Sequence, residues 1–258
     1  MRAAAFVLLG IIGAGPALAQ GAECSFYFGV ENLEADDAVA LGRINKLTPR
    51  TNFVKSADIQ KGCPNASAGC RDKAYLVPGD EVVVIGSGDA FVCASYTGAK
   101  GQDTEGFLPR AAVTLVQNPP PAPLDGWIGQ WRGSPEQEIV IAKGAGPDSL
   151  KVTGDATYGA LDPERVKRGA VNLGSLDGEA ALRGGNLSFA MGENGSVAFD
   201  KGEEYDCKVR LRRLGPYLLV KDNTMCGGMN VTFTGIYRRQ RWAGAIPGPR
   251  SGALIHKR

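Results

Sequence analysis

Apolar and polar residues alternate along this chain in short runs of period two, separated by glycine, proline and aspartate turns. The cleanest run covers 205–214. Cys207, Val209 and Leu211 fall on one face, and Asp206, Lys208, Arg210 and Arg212 on the other. That is the pattern of a strand with one buried side. Gly215-Pro216 then turns the chain into Tyr217-Leu218-Leu219-Val220, which predicts a hairpin. Ile139–Ile141, Leu150–Val152, Ala170–Leu173, Leu187–Phe189 and Val231–Tyr237 read as further strands. Together they predict an antiparallel barrel or sandwich of about eight strands. Nearer the start, Phe53-Val54, Tyr75–Val77, Val82–Ile85, Phe91–Tyr96, Gly106–Leu108 and Val113–Val116 predict a small barrel of about five or six strands. Only Leu33–Leu41 reads as a short helix, with Gly42 as its stop.

Composition supports this all-β reading. The 36 glycines and 15 prolines make turns frequent and long amphipathic helices scarce. Asn118-Pro119-Pro120-Pro121-Ala122-Pro123 is the clearest boundary, because consecutive prolines favour a stiff extended spacer without ladder hydrogen bonds. It divides an N-terminal domain, 20–117, from a C-terminal one, 124–238, followed by a basic tail at 239–258. The net charge of +2 argues against a dedicated nucleic-acid protein.

The first 19 residues read as a cleaved secretion signal. Met1-Arg2 is positive, Ala3–Gly13 is apolar, and Ala17-Leu18-Ala19 is a small-x-small cleavage site. The apolar stretch is too short to span a bilayer, and stable membrane insertion is not expected. The expected location is periplasmic or secreted. In that oxidising setting the six cysteines are read as disulfides. The preferred pairing is Cys63–Cys70 closing a loop, Cys207–Cys226 within the second domain, and Cys24–Cys93 as the remainder.

Several segments resemble known families. Asn52-Phe53-Val54-Lys55-Ser56, Leu76–Val84 with its Pro78-Gly79-Asp80 turn, Gly106-Phe107-Leu108-Pro109 and Val113-Thr114-Leu115 resemble bacterial SH3-like domains over about residues 52–116. The stretch Ala57–Lys73, which holds Cys63 and Cys70, reads as an insertion. Trp127-Ile128-Gly129-Gln130-Trp131 and the closing 226–238 segment are similar to secreted lipocalin-like barrels and to domains of periplasmic lysozyme-inhibitor-like proteins.

Candidate chemistry is sparse. The one histidine, His256, is two residues from the end, so no Ser-His or Cys-His arrangement is expected. Glu136 and Glu138 are the nearest carboxylate pair, and a charged strand edge is the commoner role. Asp36-Asp37 and Asp222-Asn223 could ligate calcium but match no calcium loop, and read as solvated turns. Gly184-Gly185 and Gly227-Gly228 read as turns. No enzyme activity, metal or cofactor is expected. For binding, Tyr75, Tyr96 and Phe107 are candidates for a peptide-receiving face. Trp127 and Trp131 either plug a barrel end or line a cavity. Lys208, Arg210, Arg212, Arg213, Arg238, Arg239 and Arg241 could meet an anionic surface.

The leading expectation is an exported binding protein whose SH3-like domain recognises cell-wall peptide or an envelope protein. A periplasmic inhibitor of a lysozyme-type hydrolase, acting through the Cys226-Gly227-Gly228 loop, is the alternative. A small-molecule carrier using the second barrel is another.

Overall fold

The computed structural model describes Cys24, Leu33 and residues 39–98, 103–117, 119–193 and 195–240. The proposed signal segment, Asp36-Asp37, Arg241 and His256 lie outside the described residues.

Seven strands form the first sheet: β1 (Ala40–Ile44), β2 (Thr51–Val54), β3 (Arg71–Leu76), β4 (Glu81–Ser87), β5 (Phe91–Thr97), β6 (Asp103–Pro109) and β7 (Val113–Leu115). Their order is β3-β2-β6-β5-β4-β1-β7, with every pairing antiparallel. One face buries Ile44, Phe53, Leu76, Val82, Val84, Val92, Leu108 and Val113 as a single core. The β-branched content of β4 suits a pleated surface buried on one side.

The second sheet contains β8 (Gly129–Ser134), β9 (Gln137–Lys143), β10 (Ser149–Tyr158), β11 (Asn172–Ala181), β12 (Asn186–Gly192), β13 (Gly195–Ala198), β14 (Cys207–Leu214), β15 (Tyr217–Asp222) and β16 (Gly235–Arg239). The order β11-β10-β9-β8-β16-β15-β14-β12-β13 curls the sheet almost into a closed barrel. At the seam, side chains replace a ladder. Glu179 N–H donates to Ser196 Oγ at 3.1 Å, and Asp177 N–H to Met191 Sδ at 3.1 Å. The fold is all-β, as the period-two pattern predicts.

Three sequence expectations change. The helix expected over 33–41 ends in a strand, since Ala40 and Leu41 begin β1; of the rest only Leu33 and Val39 are described. Gly42 is no helix stop. It lies inside β1, where a Cβ would stand 2.7 Å from Val113 Cγ1 and 2.9 Å from Val84 Cγ2. Its lack of a side chain is a packing requirement. The strand expected from Ala170 starts at Asn172, after a one-turn helix, α2 (Pro163–Lys167), whose cap Asp162 accepts from the Glu164 and Arg165 amides. A still shorter helical turn, α1 (Leu124–Trp127), follows the proline segment.

The strand expected over 231–237 begins only at Gly235, because buried Asp222 captures the preceding residues. Its Oδ1 accepts from Thr232 Oγ1 and Thr234 Oγ1, both at 2.6 Å, and its Oδ2 from Phe233 N–H at 3.2 Å. Those bonds satisfy groups that a ladder would otherwise have to pair.

The two sheets also pack on each other. Leu41 and Val83 from the first join Leu214, Tyr217, Leu219 and Ile236 from the second in one buried cluster, with Leu33 and Val39. Tyr217 O–H donates to the Glu81 carbonyl, and Arg238 donates to the Thr97 carbonyl at 2.7 Å.

All three expected disulfides are present: Cys24–Cys93, Cys63–Cys70 and Cys207–Cys226. Such bonds belong to an oxidising, extracellular environment. Among the described residues no helix is long and apolar enough to cross a membrane.

Candidate functional site: a basic cleft beside the disulfide loop

The loop closed by Cys63–Cys70 borders a concavity of the first sheet. Cys63 and Cys70 pack with Val54 against the half-buried rings of Phe91 and Phe107. The loop is anchored to β2, since Lys55 N–H donates to Cys70 O at 2.8 Å and Lys55 Nζ to Gly69 O at 3.1 Å. Within it, Asn65 Nδ2 donates to Gly62 O at 2.7 Å, and Asn65 Oδ1 accepts from Ser67 N–H at 2.8 Å. These contacts make the loop a fixed wall.

The opposite wall is the β1–β2 turn. Asn45 Nδ2 donates to Ala111 O at 2.6 Å and Asn45 N–H to Ala112 O at 3.0 Å. Between the walls lies a cleft of about 780 Å³. Leu47, Pro64, Ala66, Phe91, Pro109 and Ala111 supply its apolar lining, and Arg50 and Arg71 its charge. A cleft of this size with few polar groups suits a small ligand or a short peptide segment.

The five aromatics read as ligand-binding from sequence do not meet at one surface. Tyr75 is 45% exposed and stacks under the Arg50 guanidinium, 4.5 Å from ring centre, beside the cleft. Phe107 packs beneath the disulfide loop. Tyr96 is half-buried at the contact between the sheets, under Arg238 at 5.5 Å. Trp127 and Trp131 are fully buried in the core of the second sheet. Trp131 Nε1 donates to the Trp127 carbonyl at 2.9 Å, while Trp127 Nε1 has no hydrogen-bond partner. The Arg213 guanidinium lies 4.3 Å over the Trp131 ring and donates to the Gly126 and Gly215 carbonyls at 2.7 and 2.6 Å. Desolvation, then the neighbouring Arg239, lower its pKa to about 10, so it stays charged at neutral pH.

The remaining sequence candidates have local partners. Glu136 Oε1 accepts from Thr157 Oγ1 at 3.0 Å and Ala160 N–H at 2.7 Å, whereas Glu138 pairs with Arg132 at 3.1 Å. Asn223 Oδ1 accepts from Lys208 N–H at 3.0 Å. Gly184 and Gly185 have positive φ, at 56° and 77°, as turn residues do. Arg210 lies 4.0 Å over Phe199. Arg238 and Arg239 belong to β16 and face Arg132 and Trp131 across the ladder.

Sequence reasoning missed Arg50, Arg71 and Phe91. The available signal was the position of the two arginines, one just before β2 and one opening β3, on either side of the segment closed by the Cys63–Cys70 bond.

No family model, curated protein or solved structure matches this chain. The functional reading therefore rests on the cleft itself.

A second concave site of about 480 Å³ lies beside the Cys226-Gly227-Gly228 loop and includes Asp222 and Met229. The loop is held by the Cys207–Cys226 bond, by Gly228 N–H donating to Leu173 O at 3.0 Å, and by Asn172 Nδ2 donating to Met229 O at 2.6 Å. Thr224 and Asn230 both adopt left-handed backbone, φ 62° and 66°. Met225 and Met229 project from it, 48% and 79% exposed.

Proposed function

We propose that this is an exported, non-enzymatic binding protein, periplasmic or secreted, whose SH3-like N-terminal sheet receives an extended peptide in the cleft. Cell-wall peptide or a segment of an envelope protein is the expected ligand. The observation that carries the reading is the pre-formed cleft between two braced walls. Braced walls lose little freedom when a ligand enters, which favours binding. An extended segment lying between apolar walls also fits a groove of this shape. The test is retention of the full mature chain on purified peptidoglycan, against an Ala66→Trp variant that fills the cleft. The expected result is retention of the parent and loss in the variant. Equal retention would move the site elsewhere, and no retention of folded parent would sink the cell-wall reading.

One observation favours a second reading, inhibition of a hydrolase such as lysozyme. A loop held by a disulfide and carrying exposed, adaptable methionines is suited to entering a partner's cleft. Lysozyme turbidity assays should then show slowed lysis that Met229→Asp relieves. Unchanged lysis at excess protein would remove this reading.

A further inference from the structure

The charge of the cleft narrows the class of ligand. Its lining includes two arginines and no aspartate or glutamate. Some cations elsewhere are matched: Arg43 pairs with Glu81, Arg132 with Glu138 and Lys151 with Asp177. Among the described residues, neither Arg50 nor Arg71 takes part in an ion pair. The nearest acid along the chain, Asp72, uses Oδ1 to accept from Ala74 N–H at 2.9 Å.

Arg50 is also pre-positioned. Its guanidinium carbon lies 4.5 Å from the centre of the Tyr75 ring, a cation–π contact that holds the group in place. The two asparagine amides of the lining are already committed. Asn52 Nδ2 donates to Asp72 O at 3.0 Å, and Asn65 Nδ2 to Gly62 O. The strongest donors left for a ligand are therefore the two guanidinium groups, whose natural acceptor is a carboxylate held by charge-assisted hydrogen bonds.

We infer that the cleft selects anionic peptides, with a carboxylate bound between Arg50 and Arg71 and neighbouring residues lying on Pro64, Phe91 and Pro109. This rests on the peptide-binding reading above and adds the charge of the ligand. The carboxylate could belong to a chain terminus or to an Asp or Glu side chain, and the experiment separates the two.

Two pools of acetylated hexapeptides of randomised sequence are passed over the immobilised full mature chain, one pool with free C-terminal carboxylates and one with C-terminal amides. Retained peptides are identified by mass spectrometry. Arg71→Gln and Arg50→Gln variants are run in parallel, with circular dichroism as a check on folding. Arg71 is exposed, so its variant should fold even if loss of the Tyr75 stack disturbs Arg50→Gln.

Enrichment of the acid pool by about tenfold would assign a terminal carboxylate, and enrichment of Asp or Glu in the amide pool would assign a side chain. In either case the preference should fall in Arg71→Gln and weaken with salt, because exposed charges are screened. Equal retention of neutral and anionic peptides would overturn this inference and leave peptide binding standing. Retention of neither pool above a blank surface would overturn both, while an anionic preference unchanged in both arginine variants would overturn this inference alone.

Discussion

Asp222 organises the segment before β16 through one buried side chain. It is 3% exposed and accepts three hydrogen bonds, from Thr232, Phe233 and Thr234. Replacing it with alanine orphans those donors, and urea denaturation of Asp222→Ala should show a loss of about 2–3 kcal/mol. Glu179 adds a pH-dependent contribution by a related device. Hydrogen bonds from the Ser149 hydroxyl, then the Ala145 amide, hold its carboxyl below the ordinary value of 4.5. The unfolded chain therefore takes up the proton first as pH falls. The stability contributed by Glu179 is present above that ordinary value and is lost as pH drops through the lower folded one. Urea midpoints measured down the acid limb should show a shallower slope for Glu179→Gln than for the parent. Neither role was legible in the sequence. Asp222 reads there as a turn residue next to Asn223, because the donors that hold it lie ten to twelve positions away. Arg50 and Arg71 escaped for the same reason, being brought to one cleft only by the β2–β3 pairing and the loop between them.

At the scale of elements, alternation carried most of the information. β14 was readable because its polar and apolar faces are separated, β15 because it is a short apolar run, and Gly215-Pro216 marks the turn between them. The segment before Gly42 misled, since local signals for a helix were outweighed by pairing of Ala40–Arg43 with β4 and of Gly42–Ile44 with β7. Such non-local pairing leaves no mark on a short window of sequence. The short exposed β13 was missed because Gly195–Ala198 shows no apolar face. The staples were legible from count and compartment alone. Cys207–Cys226 joins the first residue of β14 to the Gly-Gly loop, over a sequence separation of 19. Its removal in the double variant Cys207→Ser, Cys226→Ser should lower stability by about 3 kcal/mol on the loop-entropy model. Chemical denaturation under non-reducing conditions checks this. A change below about 0.5 kcal/mol would mean that the loop holds its shape through hydrogen bonds alone.

For the whole molecule, the proline segment suggested two separable bodies, yet the sheets share a buried cluster. Leu219 is central to it. Its side chain points away from the second sheet's own core and into the contact with Leu41 and Val83. Leu219→Ala should therefore cost about 2–4 kcal/mol, as other large-to-small changes in packed cores do. The midpoints reported by probes on both sheets should move together. A melt in which only the second sheet shifts would show that the halves unfold independently. This contact was only half legible: the unbroken apolar run 217–220 marks a strand buried on both faces, but does not say what covers the second face.

The barrel seam has a mechanical consequence. A cylinder laced along one line by a hydroxyl and a thioether can part there without sacrificing a single rung elsewhere. Its wall then behaves like a split ring, stiff around most of its girth and compliant at the slit. Solvent deuterium should accordingly enter first at the Asp177 and Glu179 amides, ahead of the β14–β15 ladder, in an exchange experiment under native conditions. Slow exchange at both would show that the ring is as good as welded.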